Sequence, residues 1–190
     1  MVGWCHGCVG ARAYPSSVKS SRSEASKSSA TCIGLLSDSH GEFARTQRAV
    51  ERLVARGATC FIHCGDLEDP RCLDSLAGLN AHICCGNCDE PSDFEGYAQS
   101  LDIHFYHRTG LLTIDGARIA FMHGDDSAAF ELQIAANVGW LFHGHSHLAR
   151  DVVIRGTRVV NPGALYRAKP FSVALVTPAH GDVEFLTIGE

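Results

Sequence analysis

Short apolar runs alternate with polar, glycine-bearing turns along most of the 190-residue chain. Cys32-Ile-Gly-Leu-Leu-Ser37 reads as a buried strand, followed by a turn at Ser39-His40-Gly41. From Phe43 to Arg56 the apolar residues Ala49, Val50, Leu53 and Val54 recur at helical spacing, and Gly57 supplies a C-cap. Cys60-Phe-Ile-His-Cys64 predicts a second strand, Pro70 to Leu79 a second helix opened by its proline, and Ala81 to Cys85 a third strand. This order implies a parallel sheet with right-handed crossovers. The second half is richer in strands. Leu111 to Ile114 and Ala117 to Met122 flank Asp115-Gly116 as a hairpin, Ser127 to Asn137 predicts a helix, and Trp140-Leu-Phe142 a short buried strand. Val152 to Ile154 and Val159-Val160 form a further hairpin around Gly156-Thr157. Ser172 to Val176 and Val183 to Thr187 are strands joined by a turn near Ala179-His-Gly181. Two sheets packed face to face, with helices outside, accommodate this order, and no internal repeat interrupts it.

Composition narrows the class. Apolar residues make up 45% of the chain and charged residues 19%, a balance of a globular domain rather than of a disordered chain. The formal net charge of -5 excludes nucleic-acid binding through a broad basic face, and no apolar run reaches membrane-spanning length. Residues 1–30 differ from the rest. Pro15 to Ala30 is dominated by serine, with Lys19, Arg22 and Lys27 against the single acid Glu24, so a disordered tail precedes a domain over residues 31–190. The same basic, acid-poor composition keeps organelle import open as an alternative to a cytoplasmic location. Nine cysteines, with no apolar leader at the N-terminus, read as reduced thiols packed as small hydrophobes: Cys32, Cys60, Cys64, Cys84 and Cys85 all lie in apolar runs. Cys5-His6-Gly7-Cys8 and Cys85-Gly86-Asn87-Cys88 have zinc-type spacing, but the pairs are far apart and the second belongs to a different pattern.

That pattern lies at the strand ends. Asp38 and His40 follow the first predicted strand, Gly65-Asp66 the second, and Gly86-Asn87-Cys88-Asp89 the third. His123-Gly124-Asp125 follows the hairpin, and His143-Gly144-His145-Ser146-His147 follows Trp140 to Phe142. A metal-capable side chain thus stands just past the carboxyl end of each strand, the edge where α/β sheets bind ligands. The two-residue offsets of Asp38/His40 and His145/His147 would point each pair to one side of an extended segment. Each motif alone is weak, but the conjunction is specific. Mixed oxygen and imidazole donors suit Mn, Fe, Zn, Ni or Co over a thiolate-preferring ion. Two such ions about 3.5–4 Å apart bind a phosphate and generate a hydroxide nucleophile. The metallo-β-lactamase pattern is excluded, because Ala149 stands where it needs an aspartate.

These motifs resemble the calcineurin-like metallophosphoesterases, whose pattern is D-x-H, G-D, G-N-H-[ED], H and G-H-x-H. The likeness runs from Cys32 to Glu190, and the Gly-Asn-Cys-Asp variant with Asn161-Pro162-Gly163 looks most like the small stand-alone bacterial and archaeal phosphodiesterases. The resemblance implies an α/β fold, a four-layer α/β/β/α sandwich of two mixed sheets flanked by helices. It implies two divalent ions, manganese first, with Fe, Zn, Ni, Co or Mg as alternatives. Asp38, His40, Asp66 and His147 would hold one ion; Asp66 would bridge to a second, held also by Asn87, His123 and His145. The implied activity is hydrolysis of a small phosphate ester, a diester rather than a monoester, by a metal-bridging hydroxide. Asp66, Asn87, Cys88 and His123 are the implied catalytic residues. Cys88 replaces a histidine found in many members. A thiol is a weaker acid than an imidazolium (reference pKa about 8.5 against 6.5), so good leaving groups are expected to be favoured.

The remaining polar residues carry two readings each. His143 either orients a ligand or is structural; His63, His82, His104, His107 and His180 read as structural or surface groups. Asp89 organises the Asn87 loop, and Asp125 and Asp126 cap the following helix. Asn161-Pro-Gly163 is a floor of the site or an ordinary turn. Arg167 and Lys169 either meet a substrate phosphate or are solvated. Three alternatives stand beside the esterase: a non-catalytic metal-binding scaffold, an interaction scaffold like the retromer subunit of this fold, and a nuclease, which the acidic balance disfavours. No membrane partner is expected, and a homo-oligomer remains open.

Overall fold

The computed structural model describes residues 30–189, so the Cys5–Cys8 pair and the tail up to residue 29 lie outside the described residues. The first half comprises β1 (Ile33–Leu36), α1 (Phe43–Ala55), β2 (Cys60–His63), β3 (Ala81–Cys84), α2 (Pro91–Ser100) and β4 (His104–Tyr106). The second comprises β5 (Thr109–Ile114), β6 (Ala117–Met122), α3 (Ser127–Ala135), β7 (Trp140–Phe142), β8 (Arg150–Ile154), β9 (Thr157–Asn161), β10 (Phe171–Thr177) and β11 (Asp182–Ile188). One sheet has the order β11-β10-β1-β2-β3-β4, the other β5-β6-β7-β9-β8. Both are mixed. β1 to β4 run parallel while β10 and β11 join antiparallel, and β7 runs parallel to both its neighbours between two hairpins.

Side-chain alternation turns these sheets into layers. Ile33, Leu35, Cys60 and Ile62 point from the first sheet into a core shared with Ile119, Phe121, Trp140 and Phe142 of the second. Their neighbours Leu36 and Phe61 point the other way, onto Ala49, Val50 and Leu53 of α1 and onto Phe94 and Ala98 of α2. A third cluster sets Ile134 of α3 against Ala120, Met122, Leu141 and Val159 on the outer face of the second sheet. The result is the four-layer α/β/β/α sandwich. Burial on both faces explains the unbroken apolar runs of β1, β2 and β7. Each fully buried Leu, Ile or Phe stabilises the fold by roughly 1.5–3 kcal/mol relative to exposure.

Three expectations need correction. The helix over Pro70–Leu79 is a 3-10 helix ending at Leu76; the Asp69 carboxylate caps it by accepting from the Arg71 N–H. The pattern also missed α2 and β4. In α2 only Phe94 and Ala98 are buried, and Gly96 breaks the apolar signal, so packing rather than propensity holds it. β4 is a three-residue edge strand with an exposed histidine, too short to show a period. Among the described residues, no helix is long and apolar enough to cross a membrane.

Candidate metal centre

Every expected ligand sits within five residues of the end of its strand, and His123 directly follows β6. The loops interlock through the backbone. The Asp38 N–H donates to the Gly65 carbonyl at 3.0 Å, that of His40 to Asp66 at 3.0 Å, and that of Gly144 to His123 at 2.8 Å. These bonds join neighbouring loops within each sheet, and the His145 N–H, which donates to Asp38 Oδ2 at 3.1 Å, links the ends of the two sheets. The ligand pairs are not on extended segments, as their spacing had suggested: Asp38, His40, Asp66, His145 and His147 all have positive φ, between 43° and 67°. Left-handed backbone at a non-glycine residue costs of order 1 kcal/mol and persists where the surroundings over-determine it. Two glycines allow the close approach. A Cβ on Gly86 would fall within 2.8 Å of the Asp66 carboxyl carbon, and one on Gly144 within 2.6 Å of Asp38 Oδ2.

The polar atoms converge on two buried carboxylates. Asp66 Oδ2 lies 3.2 Å from His123 Nε2 and 3.6 Å from His40 Nε2, and its Oδ1 accepts from the Cys88 N–H at 2.9 Å. Asp38 Oδ1 lies 3.2 Å from His147 Nε2, and its Oδ2 accepts from the His145 N–H at 3.1 Å. His145 Nδ1 is 3.3 Å from His123 Nε2. Two donor sets result around them, Asp38/His40/His147 and Asp38/Asp66/His123, and a third, His40/Glu68/Cys88, adjoins the first, each with its donor atoms within 4.8 Å of one another. Asn87 stands apart: it is exposed, and its amide donates to Cys88 Sγ at 3.3 Å.

Burial raises the Asp38 carboxyl above its ordinary range. Burial also works to raise Asp66, but the hydrogen bonds from His123 and from the Cys88 N–H outweigh it and hold that carboxyl well below its usual range. For His123 burial alone would lower the imidazole, yet its bond to Asp66 raises it. Desolvation, then the nearby Asp66 carboxylate, push the Cys88 thiol up to about 12.

A divalent cation fits these residues on two observations. Neither buried carboxylate meets a lysine or arginine among the described residues; the ionisable side chains they pair with are imidazoles. Two carboxylates taken from water need compensating charge, which a cation provides. In addition, His40 Nε2 is buried with no hydrogen-bond partner and points toward Asp66. An orphaned imidazole nitrogen beside carboxylate oxygens is what a nitrogen- and oxygen-coordinated ion would satisfy.

Around this centre a further set of residues fixes the ring orientations. His123 Nδ1 donates to the Cys64 carbonyl at 2.9 Å, leaving Nε2 for the site. Asp89 accepts from the Leu67, Glu68 and Gly86 N–H groups, each at 2.8 Å, and so organises the Asn87 turn. Asn161 donates to the Gly144 carbonyl at 2.7 Å and to Ser146 Oγ at 3.1 Å, holding the His145 loop. Buried His63 bonds Ser39 Oγ at 2.8 Å. Of the two aspartates expected as helix caps, Asp126 does cap α3, accepting from Ala129 at 3.0 Å. Asp125 instead pairs with Arg108, whose other amine donates to the Gly86 carbonyl at 3.1 Å. Sequence reasoning missed Glu68, whose Oε1 lies 2.7 Å from His40 Nδ1, although its place two residues after Asp66 was a usable signal. It also missed Tyr166, whose ring lies 4.9 Å from that of His40 and which carried no signal at all.

The chain is similar to known proteins. Residues 32–181 match the family model of the calcineurin-like phosphoesterase superfamily domain. A probable metallophosphoesterase of Bacillus subtilis is 29% identical over 140 residues, covering 69% of this chain and 73% of its own. A phosphodiesterase of Methanocaldococcus jannaschii is 24% identical over 136 residues, covering 69% and 82%. Among solved structures, an archaeal phosphodiesterase superposes with a TM-score of 0.74 at 20% identity, over 83% of this chain and 99% of its own. Vacuolar protein sorting 29 of Cryptosporidium parvum has the same fold at a TM-score of 0.54 and 16% identity, over 84% and 97%. At these identities the structural likenesses concern the sandwich alone.

Proposed function

The chain belongs to the calcineurin-like phosphoesterase superfamily, and on that premise we propose that it hydrolyses phosphate esters, diesters in preference to monoesters, with two divalent ions at the centre described. The observation that carries this reading is the pair of overlapping donor sets around two buried carboxylates that no lysine or arginine among the described residues neutralises. Asp38, His40, Asp66 and His147 would hold one ion; Asp66, Asn87, His123 and His145 the other. The position of Asp66 Oδ2, near His40 on one side and His123 on the other, supports its role as the shared ligand. Manganese is our first choice, with Fe, Zn, Ni, Co or Mg as alternatives. When bound, such ions polarise the phosphoryl oxygens and lower the pKa of bound water.

The chain's own residues do the rest. Asp66 and Asp38 gather the imidazoles, and the Cys64 carbonyl fixes the ring of His123 so that Nε2 faces inward. Cys88 stands exposed at the lip, where a thiol is a poorer proton donor than an imidazolium. Substrates whose leaving groups need little protonation are therefore favoured, and aryl diesters head that class.

The test is a panel of aryl mono- and diesters assayed before chelation, after it and after metal add-back. Activity should vanish with the metal and return with it. Asp66→Ala should lower turnover by on the order of a hundredfold to a thousandfold and reduce metal content. Full turnover after thorough chelation would refute the reading.

A further inference from the structure

Near the centre stands Arg167, an exposed cation that pairs with no carboxylate among the described residues. Beyond Asn161-Pro162-Gly163 the chain runs through Ala164, Leu165, Tyr166 and Arg167 before entering β10. Ala164 and Leu165 are fully buried. The Leu165 N–H donates to the Asp38 carbonyl at 3.2 Å, and Arg45 Nη1 donates to the Leu165 carbonyl at 2.5 Å. The segment is thus anchored to the same loop that carries Asp38 and His40. From this anchor the Tyr166 ring lies 4.9 Å from the His40 ring, at 42° to it. The Arg167 guanidinium carbon lies 4.9 Å from the Tyr166 ring centroid. These two steps bound the distance from guanidinium to His40 at twice that length. Arg167 itself is held at a φ of 43°, a strained conformation for a long side chain.

The electrostatic surroundings give the arrangement its meaning. Arg45 pairs with Glu42 and Arg108 with Asp125, whereas exposed Arg167 pairs with no carboxylate among the described residues. The carboxylates Asp38, Asp66, Glu68 and Asp89 would offset the charge of two divalent ions, so a further cation at the rim adds attraction for an anionic ester. A guanidinium is permanently charged and offers a planar fork that matches two phosphoryl oxygens. Stacking on Tyr166 occupies its face and leaves that fork free.

We propose that Arg167 grips the non-bridging oxygens of the substrate phosphate, with Tyr166 as the plate that positions its guanidinium. The inference rests on the phosphoesterase reading and deepens it, by assigning substrate capture to a residue that holds no metal.

The experiment compares Arg167→Gln, Arg167→Lys, Tyr166→Leu and Tyr166→Phe with wild type. Arg155→Gln removes an equal charge from a distant turn, where Arg155 pairs with Glu131 at 3.0 Å. KM and kcat for an aryl phosphodiester, inhibition by inorganic phosphate, and metal content are measured on each. Arg167→Gln should raise KM and the phosphate inhibition constant about tenfold, the worth of one charged hydrogen-bonded contact, while kcat and metal content hold. Arg167→Lys should recover part of the loss, Tyr166→Leu should fall between, Tyr166→Phe, which keeps the ring, should lose less than Tyr166→Leu, and Arg155→Gln should match wild type. Unchanged KM and phosphate inhibition in Arg167→Gln would overturn the proposal, as would a parallel loss of metal. If wild type hydrolyses no ester, the phosphoesterase reading fails by itself. Calorimetric titration of inorganic phosphate into wild type and Arg167→Gln then decides the matter: weaker binding by the variant supports the grip, and equal binding overturns it.

Discussion

Glu68 sits where a single side chain sets the character of a ring. Its Oε1, 2.7 Å from His40 Nδ1, accepts a hydrogen bond from that nitrogen and leaves Nε2 as the lone-pair atom facing Asp66. A histidine ligand whose second nitrogen is held by a carboxylate keeps one tautomer and gains basicity; loss of such a partner typically costs ten- to a hundredfold in metal affinity. We therefore expect Glu68→Ala to weaken metal binding by about tenfold or more. Glu68→Gln, which can still accept a hydrogen bond, should lie between. Titration of metal into chelated protein checks both, and equal affinities for all three proteins would show that Glu68 is only a surface acid. At this scale the ligand residues were legible because glycine-flanked Asp, Asn and His recur at predicted strand ends. Tyr166 was not, since nothing in an isolated tyrosine announces that a loop four residues after Pro162 will turn back onto His40.

Between elements, the centre depends on two sheets keeping their ends in register, and Arg108 is one of the ties. It connects the Gly86 carbonyl, beyond β3 in one sheet, to Asp125, beyond β6 in the other. Both partners flank expected ligands, Asn87 and His123. The ion pair is half exposed and screened, so its worth to stability is about 1 kcal/mol or less. Its worth to geometry is greater, because small misplacements of reacting groups carry large rate penalties. Arg108→Leu should lower the urea midpoint slightly while reducing kcat by roughly tenfold. A variant with wild-type kcat would show the loops to be held without it. The elements themselves were readable to unequal degrees. β1, β2 and β7 declared themselves by apolar runs buried on both faces, whereas α2 and β4 exist because the first sheet offers them a surface. Nor could a local pattern reveal that β10 pairs with β1, since Ile33 meets Val176 across most of the chain.

Across the whole molecule, the sandwich holds histidines neutral in its interior, and this ties stability to pH. His82 is the clearest case, because it lies near the amino end of β3, away from the centre. It stacks on His104 with ring centroids 4.6 Å apart, and its Nδ1 is 3.3 Å from the Tyr106 hydroxyl. Burial, and then the neighbouring His104, lower its pKa to about 4. Burial lowers His63 in the same direction, to about 3. In the unfolded chain such groups titrate near about 6.5. Below that pH the unfolded state binds protons that the folded state refuses. The stability they contribute is therefore complete above about pH 6.5 and drains away as pH falls toward 4, where folded His82 itself becomes protonated. For His82 alone the shift is worth up to about 3 kcal/mol across that window. Carboxylates with altered pKa add their own slopes, but these cancel when two proteins differ at one position. The measurement is the difference in urea stability between chelated wild type and His82→Phe at pH 7.5 and again at pH 5. Phenylalanine keeps a ring against His104 and cannot take a proton, so the variant should lose less stability on acidification than wild type. Parallel losses in the two proteins would mean that His82 is solvated enough to titrate normally, and that the acid limb of stability belongs to other groups.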